Sequence, residues 1–118
     1  MARFTETECM ICLAARLLED RKTVFVGWGI PQVVAMLAER LYTPNLIQIF
    51  EFGAIGPRSL TPFVRGTMGG PSNVYRSLQW TTMNWAFAYA ATGYLDYGMI
   101  GALQVDPYCN VNSTLLGG

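Results

Sequence analysis

Apolar residues at Cys9, Cys12, Leu13 and Leu17, set against Arg16, Glu19 and Asp20, follow the spacing of an amphipathic helix. Thr5-x-x-Glu8 precedes them as a capping box, in which each partner satisfies a backbone N–H of the other. Arg21-Lys22 supplies the positive charge that a helix C-terminus favours. The next run, Thr23-Val24-Phe25-Val26, is β-branched and aromatic, and predicts a short buried strand. Ile30-Pro31 opens a second helix, with Pro31 in the first turn, where no N–H is needed. That helix carries Val33, Val34, Leu37 and Leu41, and Pro44 ends it. Asn45 to Phe50 predicts a second strand with Glu51 at its carboxyl end.

Residues 53–73 are dense in Gly, Pro and Ser and predict loop or turns. A third helix is expected over 82–91, a strand over 97–100, a loop over 101–112 and a last strand over 111–116. Strands alternating with segments of helical length predict an α/β fold with a mostly parallel sheet and flanking helices.

Composition narrows the function classes. The chain has 118 residues, 52% hydrophobic and 14% charged, with eight basic and eight acidic residues. A cancelled charge excludes the electrostatic footprint of a nucleic-acid partner or an anionic membrane. So apolar a chain implies surface hidden in a larger assembly. Glu6 and Glu8 stand where a secretory signal would carry positive charge. The most apolar stretch, 80–103, is interrupted by Asn84, Thr92, Gly93, Asp96 and Gly98, which spoils it as a membrane span. A cytoplasmic location is expected. The three cysteines, Cys9, Cys12 and Cys109, are expected as free thiols. Cys9-x-x-Cys12 falls within a helical pattern and reads as small packed residues, because zinc would need further ligands and the chain has no histidine.

Three features carry chemistry. Gly27-x-Gly29 follows a strand, but the dinucleotide fingerprint needs a third glycine where Gln32 stands. A tight turn that lets a ligand approach the backbone fits better. Glu51 sits where ligands bind in open α/β sheets, beyond the carboxyl ends of the strands. Position alone leaves two roles equal, a hydrogen-bonding group for the glycine-rich loop or a reacting group, base or nucleophile. With no second carboxylate nearby, it makes no metal site. The segment 101–114 is a shaped loop that either bonds its own backbone through Asp106 and Asn110 or presents N–H groups to an oxyanion. The aromatic residues Trp80, Trp85, Phe87 and Tyr94 read as core packing before they read as a pocket for a bulky acyl group.

Taken together, these segments resemble the β subunit of the glutaconate-type, family I CoA-transferases. Gly29-Ile30-Pro31 and Leu41-Tyr42-Thr43-Pro44-Asn45 resemble the family's Gly-x-Pro turn and strand entry. Glu51-Phe52-Gly53 is similar to its Glu-Ser-Gly, and residues 104–108 and 110–114 to its Ala-Gln-(Ile/Val)-Asp-Pro-Tyr-Gly-Asn-Val-Asn-Ser-Thr. The resemblance implies a CoA-transferase whose nucleophile is Glu51, with oxyanion and CoA contacts from Gly101, Ala102, Leu103 and Gln104, and with Gly29 and Gly53 as substrate-loop glycines. It implies coenzyme A as substrate and no permanently bound cofactor or metal. Acyl-CoA and a carboxylic acid would be the reactants. It also implies an α-type partner subunit.

Family subunits run on for about the same length again. Residues 1–118 are therefore expected to form one half-domain, completed by a chain that carries the C-terminal half. Relatives that hydrolyse, ring-open or decarboxylate an acyl-CoA on the same scaffold, or a structural subunit, form the alternative. Cys109 stands where the family has glycine, so a left-handed backbone there would strain it.

Overall fold

Thr5 caps the first helix, α1 (Glu6–Leu17), as its sequence predicts. Its hydroxyl accepts the Glu8 N–H at 3.2 Å, and the Glu8 carboxylate accepts the Thr5 N–H at 2.7 Å. The computed structural model describes residues 3–58 and 69–116. The remaining elements are β1 (Thr23–Val26), α2 (Ile30–Leu41), β2 (Ile47–Phe50), β3 (Ala54–Ile55), α3 (Pro71–Val74), β4 (Gln79–Trp80), α4 (Met83–Ala91), β5 (Tyr97–Met99), β6 (Gln104–Val105) and β7 (Val111–Asn112).

The main sheet runs β4-β3-β2-β1-β5, with β1 parallel to both β2 and β5. The expected α/β fold with a parallel core and flanking helices is present. Its antiparallel edge, β3 and β4, is an addition that the sequence pattern did not predict. Part of the predicted 53–73 loop is thus strand and short helix, because two-residue strands and a single turn leave no periodicity to read. Residues 59–68 of that loop lie outside the described residues.

The pleat sorts the parallel strands onto two faces. Val24, Val26, Phe50, Tyr97 and Met99 pack with Ala15 and Leu18 of the α1 segment and with Val34, Ala35 and Ala38 of α2. Val24 and Val26 are fully buried, which stabilises the fold by roughly 1.5–3 kcal/mol each. On the other face, Phe25 and Ile49 meet Ala86 of α4, and the Phe25 and Phe87 rings lie 5.4 Å apart. Buried Gln48 donates its amide N–H to Glu39 at 2.9 Å, and Glu39 pairs with the Arg58 guanidinium at 3.2 Å.

Two details of α1 differ from expectation. Its buried stripe is Ile11, Ala14, Ala15 and Leu18, whereas Cys12, Leu13 and Leu17 face outward. The helix has two apolar stripes, and the small side chains of α2 accept the one containing alanines. Arg16 is the basic residue of its last turn; Arg21 and Lys22 lie beyond it. All three cysteines are free, with Cys12 and Cys109 exposed and Cys9 half-buried, so only Cys9 behaves as a packed residue. No helix among the described residues is long and apolar enough to cross a membrane.

Asp96 ties β5 to β1 at the amino ends of the strands. Its carboxylate accepts the Thr23 N–H at 2.8 Å, the Thr23 hydroxyl at 2.8 Å and the Lys22 ammonium at 3.0 Å. The loop after β5 ends in a hairpin, β6 and β7, not in the longer last strand expected over 111–116. Asp106 organises its turn, accepting the Tyr108 and Asn110 N–H groups at 2.8 and 2.9 Å. Cys109 closes that turn at φ 65°, the left-handed conformation that glycine adopts without strain.

Two outcomes follow from this chemistry. Cys109→Gly removes a left-handed L-residue and raises unfolding stability by about 1 kcal/mol, read by denaturant titration. Asp96 is held down from 3.8 to about 2 by the Thr23 N–H first, then the Thr23 hydroxyl and Lys22. Its contribution is therefore complete above pH 3.8 and is lost as pH falls through about 2. Thermal melts of Asp96→Asn should show that acid-side decline flattened.

Candidate active site

The crossovers flanking β1 lie on opposite faces: α2, linking β1 to β2, on one, and α4, leading into β5, on the other. The connections, not the strands, thus part to opposite faces around β1, and open α/β sheets form a ligand crevice beyond the carboxyl ends at such a point. Three segments end there: Gly27–Gly29, Glu51–Gly53 and Ile100–Gly101.

Glu51 owes its position to a tight turn. The Gly53 N–H donates to the Phe50 carbonyl at 2.9 Å, closing a turn with Glu51 and Phe52 at its centre. Gly53 has φ +109°, and a Cβ there would stand 2.3 Å from the Thr81 carbonyl oxygen. That distance lies inside van der Waals contact, so only glycine fits. Phe52 stacks on Phe50 with ring centroids 5.7 Å apart and meets the Trp80 ring edge at 6.2 Å. The ring pair pins the turn to the sheet while Glu51 stays free of it.

The Glu51 side chain is half-buried and lies over the backbone at the end of β1. A Cβ placed on Gly27 would be 3.8 Å from Glu51 Oε2. Among the described residues nothing donates a hydrogen bond or a salt bridge to this carboxylate. Burial pushes its pKa above the ordinary 4.5, because water no longer fully solvates the charged form. A carboxylate that is stripped of some water and left without a partner is a stronger nucleophile than a solvated one.

Of the other residues expected at the site, some come together here and some do not. Gly101 does: a Cβ on it would lie 3.9 Å from the Trp28 carbonyl oxygen. The Gly101 and Ala102 N–H groups have no hydrogen-bond partner among the described residues. Leu103 donates its N–H to the Asn112 carbonyl at 2.9 Å. The Gln104 side-chain carbonyl accepts from the Asn112 amide at 2.8 Å. Both residues are thus tied to the hairpin, and the Leu103 N–H is used there, whereas those of Gly101 and Ala102 are not. Gly29 caps α2 at φ +88°, with open space where its Cβ would be.

Asp106 and Asn110 bond each other and their own loop, as the structural reading of that motif expected. An apolar groove of about 600 Å³ runs along α1, lined by Phe4, Met10, Leu13 and Leu17, and does not include Glu51. No cluster of metal-ligating side chains occurs among the described residues. Sequence reasoning weighed Gly27 only as half of a turn motif. The signal for its role was a glycine directly after a buried strand.

A profile of the coenzyme A transferase family matches residues 7–118. The chain is 32% identical, over 99% of its length, to one of the subunits of 3-oxoadipate CoA-transferase from Pseudomonas knackmussii, and covers 45% of that subunit. It superposes on glutaconate coenzyme A-transferase from Acidaminococcus fermentans with a TM-score of 0.79, at 25% identity, covering 98% of this chain and 45% of that one. The decarboxylase AibA/AibB shares the fold at a TM-score of 0.77 and 23% identity, covering 98% of this chain and 48% of that one. The chain thus spans about half the length of the relatives it matches.

The raised Glu51 pKa has a stability consequence. A carboxyl group with a folded pKa above its unfolded value favours the fold when protonated, and that contribution is lost as pH rises through the folded value. At neutral pH the ionised Glu51 is therefore a cost. Glu51→Gln should raise the melting temperature at pH 7, and the gain should shrink below the ordinary glutamate range.

Proposed function

The chain belongs to the coenzyme A transferase family, and from that premise we propose that it is a subunit of a CoA-transferase. The enzyme moves CoA between an acyl-CoA and a carboxylic acid through a covalent intermediate on Glu51. The observation that carries this reading is the partly buried Glu51 carboxylate, without a partner among the described residues, at the carboxyl end of the parallel strands. Because the same fold also serves a decarboxylase, the fold leaves the reaction open. The carboxylate favours transfer.

In the first step a Glu51 carboxylate oxygen attacks the thioester carbonyl. The C–S bond breaks, CoA leaves as thiolate, and a mixed anhydride remains. The thiolate then attacks the glutamyl carbonyl of that anhydride, releasing the first acid as its carboxylate and leaving CoA in thioester linkage to Glu51. An acceptor carboxylate attacks the glutamyl thioester, displacing thiolate to form a second anhydride. Thiolate attack on its acyl carbonyl restores Glu51 and yields the new acyl-CoA. Electrons and atoms balance without any other reactant.

Every step passes through a tetrahedral oxyanion. The N–H groups of Gly101 and Ala102, without a partner among the described residues, are the donors this chain offers, and removing one such donor costs on the order of 100-fold in rate. Coenzyme A enters as substrate, with no permanently bound cofactor. An α-type subunit completes the crevice. The exposed Trp85, Phe87, Leu78 and Val105 support a surface meant to be covered. Free thiols and an acyl-CoA substrate are consistent with action in the cytoplasm.

Treating the complex with its acyl-CoA and then with borohydride should reduce the glutamyl thioester and shift the mass of the peptide containing Glu51. Turnover without any label on this chain would refute the covalent route. Because the nucleophile must be ionised, kcat/KM should fall on the acid side at a pH above the ordinary glutamate range.

A further inference from the structure

Gly27 is buried and at first sight belongs to the sheet, since its N–H donates to the Met99 carbonyl at 2.9 Å and extends the β1–β5 pairing. Its α-hydrogen side faces three things at once. A Cβ there would lie 3.0 Å from the Met99 carbonyl oxygen, 3.4 Å from the Ile100 Cα and 3.8 Å from Glu51 Oε2. Ordinary backbone geometry does not require glycine at this point, since Gly27 is absent from the positions with positive φ. Two neighbours make glycine matter here: the Met99 carbonyl oxygen, which a Cβ would press at 3.0 Å, and Glu51 Oε2, which it would touch at 3.8 Å. The space beside Gly27 is bounded by that carboxylate on one side and by Ile100, at the entrance to the Gly101–Ala102 segment, on the other.

We propose that Gly27 is a positioning residue of the transfer site, keeping open the volume in which the substrate's reacting carbonyl meets the Glu51 carboxylate. This rests on the reading of Glu51 as nucleophile. The carbonyl must reach within about 3–3.5 Å of the attacking oxygen, and a displacement of about 1 Å costs on the order of 100-fold. A methyl group at Gly27 would occupy the approach from the floor of the crevice. It would also dry the carboxylate further, because apolar surface replaces water beside the charge.

The test uses the whole complex, with acetyl-CoA and butyryl-CoA as probes and acetate as acceptor. Gly27→Ala should lower kcat about 100-fold while KM for the acyl-CoA stays within about threefold. It should also move the acid limb of the pH profile upward, which loosened packing alone would not do. Borohydride trapping at Glu51 should slow in parallel. Native-like trapping in Gly27→Ala, or a KM rise with an unchanged acid limb, would overturn the proposal.

Glu51→Asp supplies a check that does not depend on how Gly27→Ala folds. Its shorter arm withdraws the carboxylate from the space over Gly27, so trapping should be lost. Trapping as fast as native would place the reaction elsewhere and end the proposal. If the native complex turns over but is never labelled at Glu51, the nucleophile reading and this one fall together. Labelling that is indifferent to Gly27 removes this one alone.

Discussion

The close approach of two parallel strands and a carboxylate over one glycine sets the rest of this structure. Gly27 lets the end of β5 come near enough to β1 for the Gly27 N–H to reach the Met99 carbonyl at 2.9 Å. The same missing side chain leaves Glu51 Oε2 above the backbone and not pressed against hydrocarbon. At the opposite end of these strands, Asp96 bonds Thr23 and Lys22 and fixes the register. With both ends defined, the segment after β5 can leave the sheet in only a narrow range of directions. That direction brings Gly101 beside the Trp28 carbonyl.

The proposed site is divided between elements with different support. Glu51 rides on a turn held from below by the Phe50–Phe52–Trp80 rings. Gly101 and Ala102 belong to a connection between the sheet and a separate two-stranded hairpin. A hairpin of that size is marginal by itself in water, and its apolar Val105 and Val111 are exposed. The carboxylate is thus placed by the chain's own core, whereas the N–H donors depend on what packs against the hairpin.

Much of this arrangement was legible from residue order. The Thr5–Glu8 cap, the β1–α2–β2 unit and Glu51 at a strand's carboxyl end each arise from local rules acting over a few residues. So does the strain at Cys109, which sits at φ 65°. What stayed hidden depends on distant partners. Two-residue strands such as Ala54–Ile55 and Gln79–Trp80 are defined by pairing with each other and have no internal pattern. Which of the apolar stripes of α1 turns inward was settled by the small residues of α2, on another helix. Leu103 looked like a free donor until the hairpin register gave its N–H to Asn112.

The Glu51-Phe52-Gly53 triplet shows how unevenly a short signature constrains evolution. Its first letter carries the proposed nucleophile, and its last is set by a carbonyl 2.3 Å from where any Cβ would lie. The middle letter answers only to neighbouring rings, so it can drift together with Phe50 and Trp80 while the flanking two stand still. A pattern search that demands a serine between them would discard this chain, whereas one written as two fixed letters around a free one would retain it.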